Sequence, residues 1–216
     1  MMKEYHKIDA VFNRDTTGTK KLIKGSYRNE TVELLKDATW VWTEKVDGTN
    51  IRIHWDGHDI TFGGRTDRAQ IPADLMNYLI DTFKNDATEE LFEQKFGDSD
   101  VTLYGEGYGN KIQGVGKLYR PDNVSFILFD VIVGDIWLKR ESVEDIAKAF
   151  GIDAVPIVGE GTIDEAVKFV ENKPMSTISN NAPMEGVVAR LKYDVFDRLG
   201  NRLIVKIKVK DLCSNR

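Results

Sequence analysis

Glu44-Lys45-Val46-Asp47-Gly48-Thr49-Asn50 follows an apolar, aromatic run, Trp40-Val41-Trp42-Thr43. The run reads as a β-strand and the Asp-Gly pair as a tight turn, so a single lysine is carried to a strand end. Behind it stands a partly dry wall. Such surroundings lower the pKa of an amine, and a neutral amine is a nucleophile where an ammonium is not. A solvated lysine beside a hairpin turn has the same short signature, so the rest of the chain decides between the two.

Outward from this stretch, Ile51-Arg52-Ile53-His54-Trp55 alternates apolar and polar residues, the pattern of a half-buried strand. Asp56-Gly57 turns it back toward Asp59–Phe62 and Gly63-Gly64-Arg65-Thr66. Leu75, Leu79 and Phe83 give residues 72–84 a helical period. A second helix is expected over 88–96, opening with Asp86-x-x-Glu89 and closing before Gly97. Val101–Tyr108 and the apolar Asn123–Val133 read as strands, the latter central. Ser142–Phe150 reads as a helix capped by Gly151, and Ile163–Asn172 as another opened by Thr162-x-x-Glu165. Glu185–Leu191 and Leu203–Val209 are the last strands. Residues 1–38 read as irregular apart from a short helix near Glu30–Lys36. Strands with inserted helices and no regular βαβ alternation predict an α+β fold. Without repeats, low-complexity tracts or linkers, residues 1–216 are expected to form one domain.

Composition narrows the function classes. With 41% hydrophobic and 30% charged residues the chain reads as soluble and globular, and no apolar run reaches the length of a membrane span. The N-terminus lacks a signal-peptide core, and the one cysteine, Cys213, fits a reducing cytoplasm. His6, His54 and His58 show no metal-ligand spacing. The net charge of −5 argues against indiscriminate nucleic-acid binding, but the charge is uneven. Residues 190–216 hold eight Lys/Arg against Asp194, Asp197 and Asp211, so that segment is +5 and the remainder −10. Arg14, Lys20, Lys21, Lys24 and Arg28 form a second basic stretch. A basic end on an acidic body suggests a local polyanion site.

Five stretches then recur in fixed order: Lys45-x-Asp47-Gly48-x-Asn50, Gly64-Arg65-Thr66, Tyr104-Gly105-Glu106-Gly107, Phe126-x-x-Phe129-Asp130, and Glu185-Gly186-Val187-Val188 with Lys206-x-Lys208. Together they resemble the covalent nucleotidyltransferases, the polynucleotide ligases and mRNA-capping enzymes, over residues ~39–210. Asn50, Glu44 before the lysine, and Asn110-Lys111-Ile112-Gln113 are similar to the RNA ligase 2-like branch.

The resemblance implies an adenylation domain of antiparallel sheets with flanking helices, and the following roles. Lys45 is the nucleophile that takes AMP from ATP. Glu44 recognises adenine. Asp47 and Gly48 complete the lysine motif. Asn50 and Arg65 contact phosphate or ribose, Glu106 binds ribose, and Phe129 stacks on the purine. Glu185 is associated with a divalent metal, Mg²⁺ or Mn²⁺, and Lys206 and Lys208 grip the phosphates. The physical chemistry agrees: Arg65, Lys206, Lys208 and the metal offset a triphosphate, and positive charge around Lys45 disfavours its ammonium.

The implied partner is nucleic acid, RNA or an RNA-containing nicked duplex. Ligases usually carry a further domain after the Lys-x-Lys strand, and only Asp211–Arg216 follow Lys210 here. No C-terminal OB-fold is therefore expected; the chain reads as a minimal domain or a truncation, with a partner protein as the other source of the missing part. A minimal DNA ligase, a non-turnover end-binding module and a GTP-using capping enzyme are the rival readings.

Overall fold

Along Trp40–Lys45 burial alternates residue by residue, with Trp40, Trp42 and Glu44 inside and Val41, Thr43 and Lys45 half-buried. That is the period-2 signature of a strand with one face on a core. The computed structural model describes residues 2–196 and 200–212. They form two compact units: the described parts of 1–5 with 47–155, and of 6–46 with 156–216. No shift in composition marks either seam. One falls between Val46 and Asp47, inside the lysine motif, and the other between Val155 and Pro156.

In the unit that carries Lys45, five strands lie in the order Asp9–Ala10, Ile204–Lys208, Gly186–Leu191, Trp40–Lys45, Ile157–Gly161. All pairs are antiparallel except Asp9–Ala10 beside Ile204–Lys208. Helix Ile163–Glu171 starts in the expected capping box, where Thr162 accepts from the Glu165 amide and Glu165 reaches back to Thr162. Its Ile163, Ala166, Val167 and Val170 join Trp40, Trp42, Val187 and Ile207 in the core.

The other unit holds a sheet in the order Asp153–Ala154, Val124–Val133, Val101–Gly109, Thr49–Trp55, Ile60–Gly63, with Ile136–Trp137 on Val124–Val133. Val124–Val133 is interior, as its apolar run predicts. Helices Ala73–Phe83, Asp86–Phe96 and Arg140–Ala149 contribute Leu75, Leu79, Phe83, Phe92, Val143 and Ile146 to a core with Ile51, Ile53, Leu103, Phe126 and Leu128. The mixed architecture of mostly antiparallel sheets with flanking helices is the expected α+β fold.

Several local expectations are corrected. Residues 6–38 are not irregular. Phe12–Arg14 and Leu22–Tyr27 pair as a ribbon because Val11, Phe12 and Leu22 are buried in the core. The turn is organised by the Asp15 carboxylate, which accepts from the amides of Thr17, Gly18 and Thr19. The helix near residue 30 covers Glu30–Leu34, capped by Asn29. Helix Asp86–Phe96 is capped by Asn85 rather than by an Asp86 box. The alternating strand Thr49–Trp55 is buried on both faces from Ile51 onward, so Arg52 and His54 do not face solvent.

The basic stretch 14–28 is laced with ion pairs: Arg14 with Asp211 (2.9 Å), Lys24 with Glu171, and Arg28 with Asp9 (3.2 Å). Asp197, Arg198, Cys213 and Arg216 lie outside the described residues.

Candidate active site

The lysine site is built by strand register. Gly186 pairs with Lys45 on one side and Lys208 on the other, so the three form one row across three strands. Residues opposed in an antiparallel ladder share a face, which puts both lysine side chains on one side of the sheet, with a glycine that has no side chain in the position between them. A Cβ on Gly186 would overlap the Ile207 carbonyl oxygen, so the row closes only with glycine there. Glu185 enters beside this gap. Its Oε2 lies 2.7 Å from Lys45 Nζ and its Oε1 2.5 Å from Lys208 Nζ. The Val209 amide donates to the Glu185 carbonyl (2.9 Å) and fixes the backbone there.

The next row holds Thr43, Val188 and Lys206, so Lys206 shares the face of Lys208 two residues away. Burial pushes the Glu185 carboxyl up, but the Lys45 and Lys208 ammoniums outweigh it and hold it below its ordinary value. The expected positive charge near Lys45 comes with an acidic residue against it, because the register that brings Lys208 close also brings Glu185.

Glu44 departs from its expected role. Neighbours on a strand point to opposite faces, so Glu44 faces the core side while Lys45 faces the other. It is 1% exposed, and its carboxylate accepts from Ser176 Oγ (2.5 Å), the Thr177 amide (2.8 Å) and Thr177 Oγ1 (2.6 Å). Ser176 Oγ in turn accepts from the amides of Ile178 and Ser179. This network pins the loop that closes through Met184 N to Pro174 O and leads into Glu185. The Glu44 side chain is thus spent on the loop and not on a base.

Glu44→Ala strands the Ser176 and Thr177 donors and is expected to cost about 2–4 kcal/mol, against about 1–2 for Glu44→Gln. Denaturant unfolding checks this, and a wild-type midpoint for Glu44→Ala would contradict it.

The remaining candidates belong to the other unit. Asn50 is in register with Glu106, which is the one half-buried residue in the otherwise buried strand Val101–Gly109. Asn50 Oδ1 is buried and accepts no hydrogen bond among the described residues. Asp47 and Gly48 lie immediately before the strand Thr49–Trp55 that carries Asn50. A Cβ on Gly48 would overlap the Gly107 carbonyl oxygen and press on Glu106, so glycine permits the close approach of the two motif segments.

Phe129 occupies a β-bulge. Tyr104 pairs with Asp130 and Gly105 with Leu128, leaving Phe129 as the extra residue. A bulge re-aims a side chain, and Phe129 stays half-buried in a strand that is otherwise nearly all buried. Arg65 is exposed in the turn that follows Gly64.

Sequence reasoning missed Arg52, which organises that turn: its guanidinium donates to Gly64 O (2.7 Å) and Met2 O (3.0 Å) and pairs with Asp67 (2.8 Å). Its only sequence signal was an arginine inside an apolar strand. Missed too was Tyr5, whose hydroxyl donates to Asp130 (2.8 Å).

A triphosphate would find cations in Lys45, Lys206 and Lys208. For a divalent metal the donor set of the lysine row is one carboxylate, Glu185. A hard cation such as Mg²⁺ accepts one or two carboxylates and completes its shell with substrate phosphates and water, so this set fits. No group of three or more His, Cys, Asp or Glu with metal-holding geometry occurs among the described residues. Nor is any helix among them long and apolar enough to cross a membrane.

No curated protein matches this chain. Among solved structures it is similar to a mutant of Naegleria gruberi RNA ligase with ATP and Mn, at 19% identity and a TM-score of 0.62, covering 93% of this chain and 59% of that one. It is similar also to the same ligase with PPi (18%, TM-score 0.61, 94% and 61%) and to another mutant with AMP and Mn (18%, 0.61, 93% and 60%). These likenesses show a shared fold, and the chain spans about three fifths of the length of those ligases. The RNA ligase family profile matches residues 38–208, most of the chain and every stretch of the motif series, so the chain belongs to the RNA ligase family.

Proposed function

We propose that residues 1–216 act as one adenylylating domain of an ATP-dependent RNA ligase, working through a covalent lysyl–AMP. The observation that carries this reading is the row Lys45–Gly186–Lys208 with Glu185 bridging the two ammoniums. A lysine alone at a strand end is ordinary; one held by a carboxylate shared with a second lysine is poised for an anion that takes over the cations.

In the first step, Lys45 passes a proton to solvent water, leaves Glu185, and its neutral nitrogen attacks the α-phosphorus of ATP. An N–P bond forms, the α–β phosphoanhydride breaks, and pyrophosphate leaves. Lys206 and Lys208 hold the phosphates as charge grows on them. Glu185, with phosphate oxygens, would hold the divalent metal, which when bound offsets that charge.

The sugar and base fall to the other motif residues. Glu106 and Asn50 contact the ribose side, the unpaired Asn50 Oδ1 giving an acceptor for a hydroxyl. Phe129 offers its ring to the purine, and Arg65 adds a phosphate contact from its exposed turn. A 5′-phosphate oxygen then attacks the phosphorus of lysyl–AMP and frees Lys45. Last, a 3′-OH attacks the activated 5′-phosphate and releases AMP.

Stacking on Phe129 suits any purine, so choice of ATP over GTP needs polar groups at the base edge other than the Glu44 carboxylate. Affinity for the ends comes mainly from Lys and Arg on the backbone. With many of these cations in ion pairs on an acidic body, binding should be weak and steeply salt-dependent.

The test is sealing of a pre-adenylylated nick, without ATP, across a salt series. Nicks with RNA at the 3′-OH side should seal better than all-DNA nicks, because A-form shape and 2′-OH groups are what an RNA ligase reads. Sealing should fall by about tenfold or more from 50 to 200 mM salt. Equal or better sealing of DNA would overturn the RNA assignment. No sealing of either, with normal labelling of Lys45, would mean that a further segment or a partner protein must supply the end-binding surface.

A further inference from the structure

We propose that Tyr5 is a positioning residue for Phe129, and that the segment Met2–Tyr5 forms a wall of the base site. This rests on the reading of Phe129 as the purine platform.

As the extra residue of a bulge, Phe129 has no opposed partner in the ladder to fix its ring. The Tyr5 ring meets it nearly at right angles, with centroids 5.1 Å apart and planes at 78°. Perpendicular contact is a favoured geometry for two quadrupoles, so it holds the orientation as well as the place of the ring.

Tyr5 is itself held. Its hydroxyl donates to Asp130, which is 1% exposed, and its ring packs on Tyr104 (5.0 Å) and Trp137 (5.6 Å). The segment before it is tied by its backbone. Met2 O accepts from Arg52 Nη1 (3.0 Å) and Lys3 O from Tyr104 Oη (2.9 Å), while Lys3 Nζ stands 5.9 Å from the centre of the Trp137 ring. The segment is thus tied at Met2, Lys3 and Tyr5.

The place matters as much as the restraint. Arg52, Tyr104 and Asp130 are in register across three strands and share a face. Asn50 and Glu106 form the adjacent row on that same face, two residues along, about 7 Å away. The segment therefore covers the row next to the candidate ribose contacts and reaches Phe129 from that side.

The experiment is a double-mutant cycle on single-turnover self-adenylylation, reading the half-saturating ATP concentration and the maximal rate. Tyr5→Ala and Tyr5→Leu should each raise the half-saturating ATP concentration roughly 3- to 10-fold, the range of one aromatic pair, and change the maximal rate much less. Tyr5→Phe, which keeps the ring, should restore most of the affinity. In a Phe129→Ala background, Tyr5→Ala should add almost nothing, because its effect runs through that ring. The same factor for Tyr5→Ala in both backgrounds would overturn the proposal, since a general loss of stability is additive. So would no effect of Tyr5→Ala where Phe129→Ala has one. If Phe129→Ala itself leaves ATP affinity unchanged, the platform reading fails, and Tyr5 loses its role with it.

Discussion

Lys45→Ala is expected to abolish covalent labelling by ATP, by at least about 10⁴-fold, while the protein stays folded. No other group replaces a nucleophile, so the loss should fall on the chemical step and not on ATP affinity. The fold should survive because Glu185 keeps Lys208 at 2.5 Å when Lys45 is gone. A carboxylate that retains a cation is not stranded, and the cost should stay near 1–2 kcal/mol, a shift of a few degrees in melting midpoint. Sealing of a pre-adenylylated nick should persist in the same variant, because that step uses no lysine nucleophile. Labelling at the wild-type rate would remove Lys45 from the mechanism. Loss of labelling with loss of the folded state would be answered by Lys45→Met, which keeps the length of the side chain.

Glu185→Ala should be the second largest effect, a loss of about 10²–10³ in the rate of self-adenylylation. Glu185 bridges both ammoniums in the row, so its removal takes away the carboxylate that offsets their repulsion across Gly186. Lys45 loses its carboxylate partner, and a divalent metal would lose the carboxylate proposed to hold it. Glu185→Gln keeps the shape and one acceptor and should fall between alanine and wild type. Excess chelator should silence the wild type as well. Full activity in chelator or in Glu185→Ala would contradict this assignment.

Much of this arrangement was legible in the chain itself, for reasons that differ by residue. Strands and helices followed from period, as in Trp40–Lys45 and Ile163–Glu171, because alternation and a capping box are local physics. The ribbon Phe12–Arg14 with Leu22–Tyr27 was not legible: two short segments of mixed polarity become strands only through the core they bury into. The seam between Val46 and Asp47 was invisible because compactness is a property of contacts and not of composition.

At the candidate site, the motif series marked Lys45, Glu185 and Lys208, and the register brought them together. The same alternation that put Lys45 on the half-buried face turned Glu44 into the core, which residue-by-residue transfer from the family overlooked. Tyr5 belongs to no motif, and Arg52 showed only as a polar position of an alternating strand; their roles exist only where strand rows place them.

The most direct measurement is the mass of the wild-type protein after incubation with ATP and Mg²⁺ and then denaturation, followed by localisation within its peptides. The expected result is a gain of one AMP, on the peptide that holds Lys45 and nowhere else. No gain of mass from a folded protein that binds ATP, or an AMP on any other residue, would contradict the covalent route.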